Sequence, residues 1–236
     1  MGDIAGEMAE NDKIFYIADY PILGTIAQIN AFALGAQMTN PRAKVYLEWS
    51  TLKDQDIEKR IDEIDPNCIS GKDIIVPDDN NHFYGVYHRE SGGGGQKNLA
   101  MPLCHWGKFY EELIRTIMAG NWEQDNDVEK AINYWWGMPT GVVDVICSNK
   151  LPAGTVRLVN VLKHNYKTGQ FHTFTDQMYA QGHILKEKKG ETLSPEEVIE
   201  MDWLAENIIG RIPKIEELQE QAKPVLTQQG IETRKG

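Results

Sequence analysis

The sequence predicts an α/β fold, an open parallel sheet with helices packed on its faces. Three observations point there. Short apolar runs alternate with stretches of helical period between residues 13 and 120. Each run is three to five residues long, short enough for a buried parallel strand. A clear helix start, Ser194-Pro195-Glu196-Glu197, repeats the helical theme near the C-terminus.

In order, Ile14 to Ala18 is a buried strand broken by Asp19-Tyr20-Pro21. Ile22, Ile26, Ile29 and Ala33 then mark one face of a helix that runs to Met38 and ends at Asn40-Pro41. Val45 to Trp49 is the second strand. Ile57, Ile61 and Ile64 line a short helix within a charged segment. Ile74 to Val76 and Phe83 to Tyr87 are the third and fourth strands. An apolar run from Leu99 ends at Pro102, and a turn carries His105, Trp106 and Gly107. Phe109, Leu113, Ile114 and Ile117 recur at helical spacing until Gly120 stops the helix.

The second half reads less regularly. Glu123 to Glu129 is an acidic crossover or linker, and Val142 to Ile146 is a buried strand. Val156 to Tyr166 is a helix ending near Gly169. Phe171 to Lys188 is an extended excursion with a turn at Gly182. Ser194 caps a helix carrying Val198, Met201, Trp203, Leu204 and Ile208 as far as Gly210. Ile215 to Leu226 is a final helix limited by Pro224, and the last ten residues fray.

Composition sets bounds. The chain has 236 residues, 41% hydrophobic and 25% charged, as in ordinary globular proteins. A net charge of -11 argues against nucleic acid as a partner, because that binding needs basic surface. No stretch approaches the roughly 20 apolar residues of a membrane span. Met1 to Asp12 is polar and acidic, without the basic start and apolar run of a secretory signal. Cys68, Cys104 and Cys147 are far apart and show neither metal-ligand spacing nor a disulfide framework, so they read as reduced core residues.

Catalytic constellations are not evident. The six histidines include no His-Glu-x-x-His spacing, and no Gly-x-Ser-x-Gly elbow occurs. No metal or cofactor is expected. Gly92 to Gly95 lacks the Gly-Lys-Ser/Thr ending of a phosphate loop and reads as a flexible tip. Asp78-Asp79 is a carboxylate pair that could bind a cation or a hydroxyl, and more simply a solvated loop. Aromatic side chains mark three expected strand ends: Tyr20, Tyr87 (followed by His88) and Trp106. Ligands of open α/β sheets bind at the carboxyl ends of strands. A flat indole or phenol there offers a stacking face, although each could equally plug the core.

Several motifs, taken in order, resemble one family. They are Tyr16-Ile17-Ala18-Asp19-Tyr20-Pro21-Ile22, Ile29-Asn30-Ala31-Phe32-Ala33-Leu34-Gly35-Ala36 and Gly85-Val86-Tyr87-His88. Trp106-Gly107-Lys108-Phe109-Tyr110, Tyr134-Trp135-Trp136-Gly137 and Gly141-Val142-Val143-Asp144 follow. Met201-Asp202-Trp203-Leu204 and Gly210-Arg211-Ile212-Pro213 complete the series. The order resembles the basic membrane lipoprotein family, PnrA-like substrate-binding proteins of ABC transporters for purine nucleosides and related compounds.

The resemblance implies a type I periplasmic-binding-protein fold, whose two lobes close on a ligand between them. Residues 13–124 would form a Rossmann-like parallel lobe, the family's lobe two. Residues 125–226 would cross back and supply the C-terminal part of lobe one, with 1–12 and 227–236 as flexible tails. Family members begin with a lipoprotein signal and a first half that this chain lacks, so the chain would be a fragment or half of a split protein, in which case a separate chain could supply the missing half of lobe one. The resemblance further implies a non-enzymatic protein working outside the cytoplasm with an ABC permease. Its small-molecule ligand would be a purine base or nucleoside. The matching ligand positions are Tyr20, Pro21, Ile22, Tyr87, His88 and Trp106. Trp at this turn resembles the branch that binds a free base such as adenine. Two other readings stay open: a nucleoside-processing hydrolase on the same sheet, and the effector-binding domain of a regulator.

Overall fold

The computed structural model describes residues 1–71, 84–90, 95–120 and 137–231. A seven-stranded sheet organises them. Helix α1 (Gly2–Met8) precedes β1 (Lys13–Ala18), α2 (Thr25–Thr39), β2 (Lys44–Trp49), α3 (Ile57–Ile64) and β3 (Cys68–Ser70). Then come β4 (Val86–Arg89), β5 (Gln96–Cys104), α4 (Trp106–Met118), β6 (Val143–Cys147) and α5 (Ala153–Lys167). The hairpin β7 (Thr175–Ala180) and β8 (Ile184–Thr192) leads to α6 (Pro195–Ile199), β9 (Ile208–Ile209) and α7 (Lys223–Gln229). The expected strand at Ile74–Val76, the Asp78-Asp79 pair, His82, Phe83, Gly92–Gly94, the Glu123–Glu129 crossover and Tyr134–Trp136 lie outside the described residues.

The strand order is β6-β5-β4-β3-β1-β2-β9. Strands β9, β2, β1 and β3 are mutually parallel. Strand β4 runs against β3, β5 against β4, and β6 against β5. The α/β class is therefore as expected and most strands share one direction, but one flank is antiparallel. Alternation along β1 sends Ile14, Tyr16 and Ala18 toward the α1–α2 layer. Phe15 and Ile17 point to the opposite face, where Ile57, Ile61 and Ile64 of α3 cover them.

Residues 1–12 are not a loose tail. Helix α1 buries Gly2, Ile4, Ala5 and Gly6 against α2. The two glycines, one turn apart, allow this close approach: a Cβ on Gly2 would sit 1.9 Å from the Phe32 carbonyl oxygen, and one on Gly6 2.3 Å from that of Ala36.

The division expected near residue 125 does not divide the sheet. Strand β6 pairs with β5, and β9 pairs with β2, so both edges come from the C-terminal segment. The capping box at Ser194 and Glu197 forms as expected, but α6 ends after five residues. A buried amide explains the early stop. Asn30 of α2 is fully buried and donates from Nδ2 to the Trp203 carbonyl at 2.7 Å and to Met201 Sδ at 2.9 Å. Its Oδ1 accepts from the Ala205 backbone N–H at 2.8 Å. These bonds claim groups that a continuing helix would use internally. Asn207 adds a bond from Nδ2 to the Ala33 carbonyl at 2.8 Å.

The expected final helix is also redrawn. Two 3-10 turns, Ile215–Glu217 and Glu220–Ala222, precede α7, and Pro224 stands in its first turn, where a missing N–H costs nothing. Ile231 is buried and Gly230 bridges to Ile22, so the chain stays packed beyond the point where fraying is expected.

Of the cysteines, Cys68 alone is a core residue. Burial pushes its thiol up to about 12. Cys104 is exposed and Cys147 half-buried, because both lie on the thinly covered β5–β6 flank.

Two outcomes follow from this packing. Asn30→Ala leaves the Trp203 carbonyl and the Ala205 N–H without their partner, and should destabilise the fold by about 2–4 kcal/mol. Urea unfolding should show this as a lower midpoint with an unchanged slope. A thiol reagent at pH 8 should modify Cys104 in the native protein and reach Cys68 only after denaturation, as read by mass spectrometry.

Candidate ligand-binding site

The six residues expected to hold a ligand fall in three separate places. Tyr20, Pro21 and Ile22 follow β1 at its carboxyl end, as anticipated. The C-terminal segment covers them there: Tyr20 and Ile22 pack against Leu218, Ala222 and Leu226, and Pro21 is fully buried. Tyr87 and His88 lie elsewhere, because β4 is antiparallel. Tyr87 is opposite Ile69 and His88 opposite Cys68, toward the amino end of β3. The carboxyl end of a reversed strand points away from the crevice. Tyr87 is buried with Phe15, Ile61 and Ile64 beneath α3, and burial pushes its phenol up to about 12. Trp106 opens α4, is 60% exposed, and meets the edge of Phe109 at 5.9 Å between ring centroids.

A large opening among the described residues lies elsewhere, between the α1–α2 side of the sheet and the C-terminal segment. It is a cavity of about 710 Å³. That volume lies within the range of small-molecule sites, roughly 300–1,000 Å³. The sheet and α2 contribute Tyr16, Phe32, Ser70 and Pro102. Residues around the α5–β7 connection contribute Tyr166, Phe171, Thr173 and Phe174. Helix α1 brings Asp3 and β6 brings Asp144. Strand alternation puts Tyr16 on this face, and helical spacing puts Gln28, Phe32 and Gly35 along the wall.

The rings are held in place. Tyr16 and Phe32 meet edge to face with centroids 5.0 Å apart, and so do Tyr166 and Phe171. Tyr166 Oη and Thr173 Oγ1 lie 2.7 Å apart. Burial raises the Tyr166 phenol above its ordinary value, against the lowering effect of the Thr173 hydrogen bond. Asp144 is the anchored charge of the cavity. Lys163 Nζ lies 2.5 Å from its carboxylate and Lys167 Nζ 3.8 Å, and the Val145 N–H donates at 2.7 Å. Burial acts to raise the carboxyl, but the Lys163 bond, the Val145 N–H and the two ammonium charges outweigh it and hold the group below its usual range.

A smaller recess of about 270 Å³ lies at the carboxyl ends of β2 and β9. Its two cations are already engaged, Arg60 with Glu48 and Glu63, and Arg211 with Glu217. Among the described residues, no group of three or more His, Cys, Asp or Glu side chains could hold a metal ion. No helix of the described residues is long and apolar enough to cross a membrane.

Comparison with known proteins gives these similarities. Residues 1–92 match the model of the Bmp family, described as ABC transporter substrate-binding protein PnrA-like. Over its first 92 residues the chain is similar to this family, in keeping with the order of its motifs. A purine-binding protein of Brucella abortus (strain 2308) is 24% identical over 224 residues, 90% of this chain and 62% of that protein. A putative ABC transporter glucose-binding protein of Haloferax volcanii is 30% identical over 152 residues, 60% of this chain and 37% of that protein. The chain thus spans less than two thirds of the length of either relative. An ABC transporter solute-binding protein from Conexibacter woesei DSM 14684 superimposes with a TM-score of 0.45 at 14% identity, over 72% of this chain and 60% of that one.

Sequence reasoning had most of the cavity's residues in hand without placing them together. Tyr16, Phe32 and Asp144 all stand in the family-like motifs, and Phe171 and Phe174 stand in the segment read as an aromatic excursion. The link between them is tertiary.

The Asp144 cluster makes a pH prediction. A carboxyl held below its unfolded value contributes stability above the ordinary carboxylate range, and that contribution is lost as pH falls through the depressed value. Asp144→Asn should therefore lower stability at neutral pH and flatten the acid limb of the stability–pH curve. Chemical denaturation at a series of pH values measures both effects.

Proposed function

We propose that this chain provides the ligand-binding part of an ABC importer's substrate-binding protein, with a purine base or nucleoside as its ligand. The cavity between the α2 side of the sheet and the C-terminal segment carries this reading. It combines aromatic rings from two parts of the chain with a few polar groups, Ser70, Thr173, Asp3 and Asp144, that can read a ring edge or a sugar. Aromatic faces hold flat heterocycles by stacking, and sparse polar groups set orientation. The name of the Brucella relative supports a purine. On this reading the protein works outside the cytoplasm and hands its ligand to a permease. The remaining length of its relatives, on the same polypeptide or a separate chain, completes the second lobe.

The relative from Haloferax favours a second ligand class, a hexose, which aromatic faces also accommodate. A hydrolase acting on nucleosides would share the ligand and differ by releasing product.

The test is a thermal-shift and calorimetric screen of adenine, guanine, hypoxanthine, adenosine, guanosine, inosine and glucose. A ligand at about 100 times its Kd should stabilise the protein by roughly 2.7 kcal/mol. Tyr16→Ala or Phe174→Ala should weaken a purine by about 1–3 kcal/mol, or roughly 5- to 150-fold. Trp106→Ala should leave the affinity unchanged. The opposite pattern would return the site to the strand-end residues expected from sequence. Glucose binding alone would overturn the purine assignment, and free base released from a nucleoside would favour the hydrolase.

A further inference from the structure

Among the described polar residues of the cavity, Ser70 alone is buried. It ends β3 and is 4% exposed, yet it lines the 710 Å³ space. Parallel register sets it beside Tyr16 of β1, on the same face of the sheet. Among the described residues, none forms a hydrogen bond with its hydroxyl. Buried hydroxyls are ordinarily hydrogen-bonded, and one left open in an apolar wall is costly. Two other side-chain oxygens are left open among the described residues, Thr155 Oγ1 and Asn207 Oδ1. Both are fully enclosed, and neither residue lines this cavity. Ser70 differs by bordering a space that admits a ligand.

The cavity's other polar groups are engaged or set apart. Asp144 is held by Lys163, Lys167 and the Val145 N–H, and Thr173 is bonded to Tyr166. Gln28 and His172 are exposed. Asp3 as a carboxylate only accepts hydrogen bonds, whereas a hydroxyl can also donate. No lysine or arginine among the described residues lines the cavity. The Ser70 hydroxyl is therefore an uncommitted donor at the cavity's floor.

We propose that the Ser70 hydroxyl donates a hydrogen bond to an unprotonated ring nitrogen of the bound heterocycle and so sets which edge of the ring meets the sheet. The contact rests on the purine reading above and names the group that orients the ligand. Stacking alone leaves a flat ring free to turn in its own plane, and a directional bond removes that freedom. Adenine, guanine and hypoxanthine share the acceptors N3 and N7, so one hydroxyl can serve the whole class. A ring lacking the matching nitrogen leaves the buried hydroxyl unpaired and is bound less well.

The test is a thermodynamic cycle between protein and ligand, read by titration calorimetry on the full chain. Wild type and Ser70→Ala are titrated with each purine base and nucleoside of the screen above, and with its 3-deaza and 7-deaza analogues, in which a C–H replaces one ring nitrogen. Ser70→Ala should weaken a bound purine by about 10-fold. One of the two analogues should bind the wild type about 10-fold more weakly than its parent and be indifferent to Ser70→Ala. The other should lose affinity with Ser70→Ala as the parent does. Without ligand, Ser70→Ala should melt no lower than the wild type, because no hydrogen bond within the protein is lost. A lower melt assigns the hydroxyl to the fold and overturns the contact. A purine held equally well by Ser70→Ala, or both analogues weakened by it as much as their parent, overturns the contact and leaves the purine reading standing. A wild-type chain that binds none of these purines overturns that reading, and this contact falls with it.

Discussion

One buried amide holds the two ends of this chain together. Asn30, on the second helix, bonds the backbone of residues 203 and 205 and the sulfur of Met201. An amide with no exposure to water must satisfy its donors and its acceptor inside the protein, and leaving one open costs far more than the net gain of forming it. The C-terminal segment is thereby brought to one position across α2. Strand β9 then adds to β2, with the Val45 N–H donating to the Asn207 carbonyl at 2.9 Å. The last turns fold over the loop after β1. The cavity's far wall, from the α5–β7 connection to α6, follows from the same placement.

That arrangement explains why the loop after β1 is not part of the candidate site. In an open parallel sheet, the loop after the first strand is a natural ligand contact. Here Leu218, Ala222 and Leu226 pack against its Tyr20 and Ile22, so the apolar groups that could have met a ligand meet the C-terminal turns instead. The space left open lies along the side of α2, where Phe32 and Gly35 face the sheet-borne Tyr16 and the rings of the α5–β7 connection. Its volume suits a ligand of nucleoside size, and its charges are few and anchored, Asp144 by two lysines.

Much of the fold is legible along the chain. Strands β1 and β2 and helices α2, α3, α4 and α5 form where the periodicity places them, and period is a local property. The capping box at Ser194 is equally local and formed as read. Strand direction is not local. An apolar run ending in Tyr87-His88 has the same composition whichever way it lies, yet reversing it carries both residues to the other end of the sheet. Helix α6 is shorter than its spacing predicts for a related reason. Met201, Leu204 and Ile208 keep helical spacing, but their burial is in irregular chain whose backbone is captured by a residue some 170 positions away. Pro224 looked like a limit on a helix and proved to stand in the first turn of one.

By itself the sequence determined the α/β class, the positions of most elements, and the resemblance to the PnrA-like family. These rest on short-range periodicity, capping and ordered motifs, all written in neighbouring residues. Tertiary structure alone decided which residues share a space. The antiparallel turn of β4, the entry of β6 and β9 into one sheet, and the grip of Asn30 on the C-terminal segment are contacts between distant residues. They gather Tyr16, Phe32, Asp144 and Phe174 around one cavity and leave Tyr87 in the core and Trp106 on the surface. Local patterning specifies which face of an element is apolar. Only the packing of whole elements specifies what that face meets.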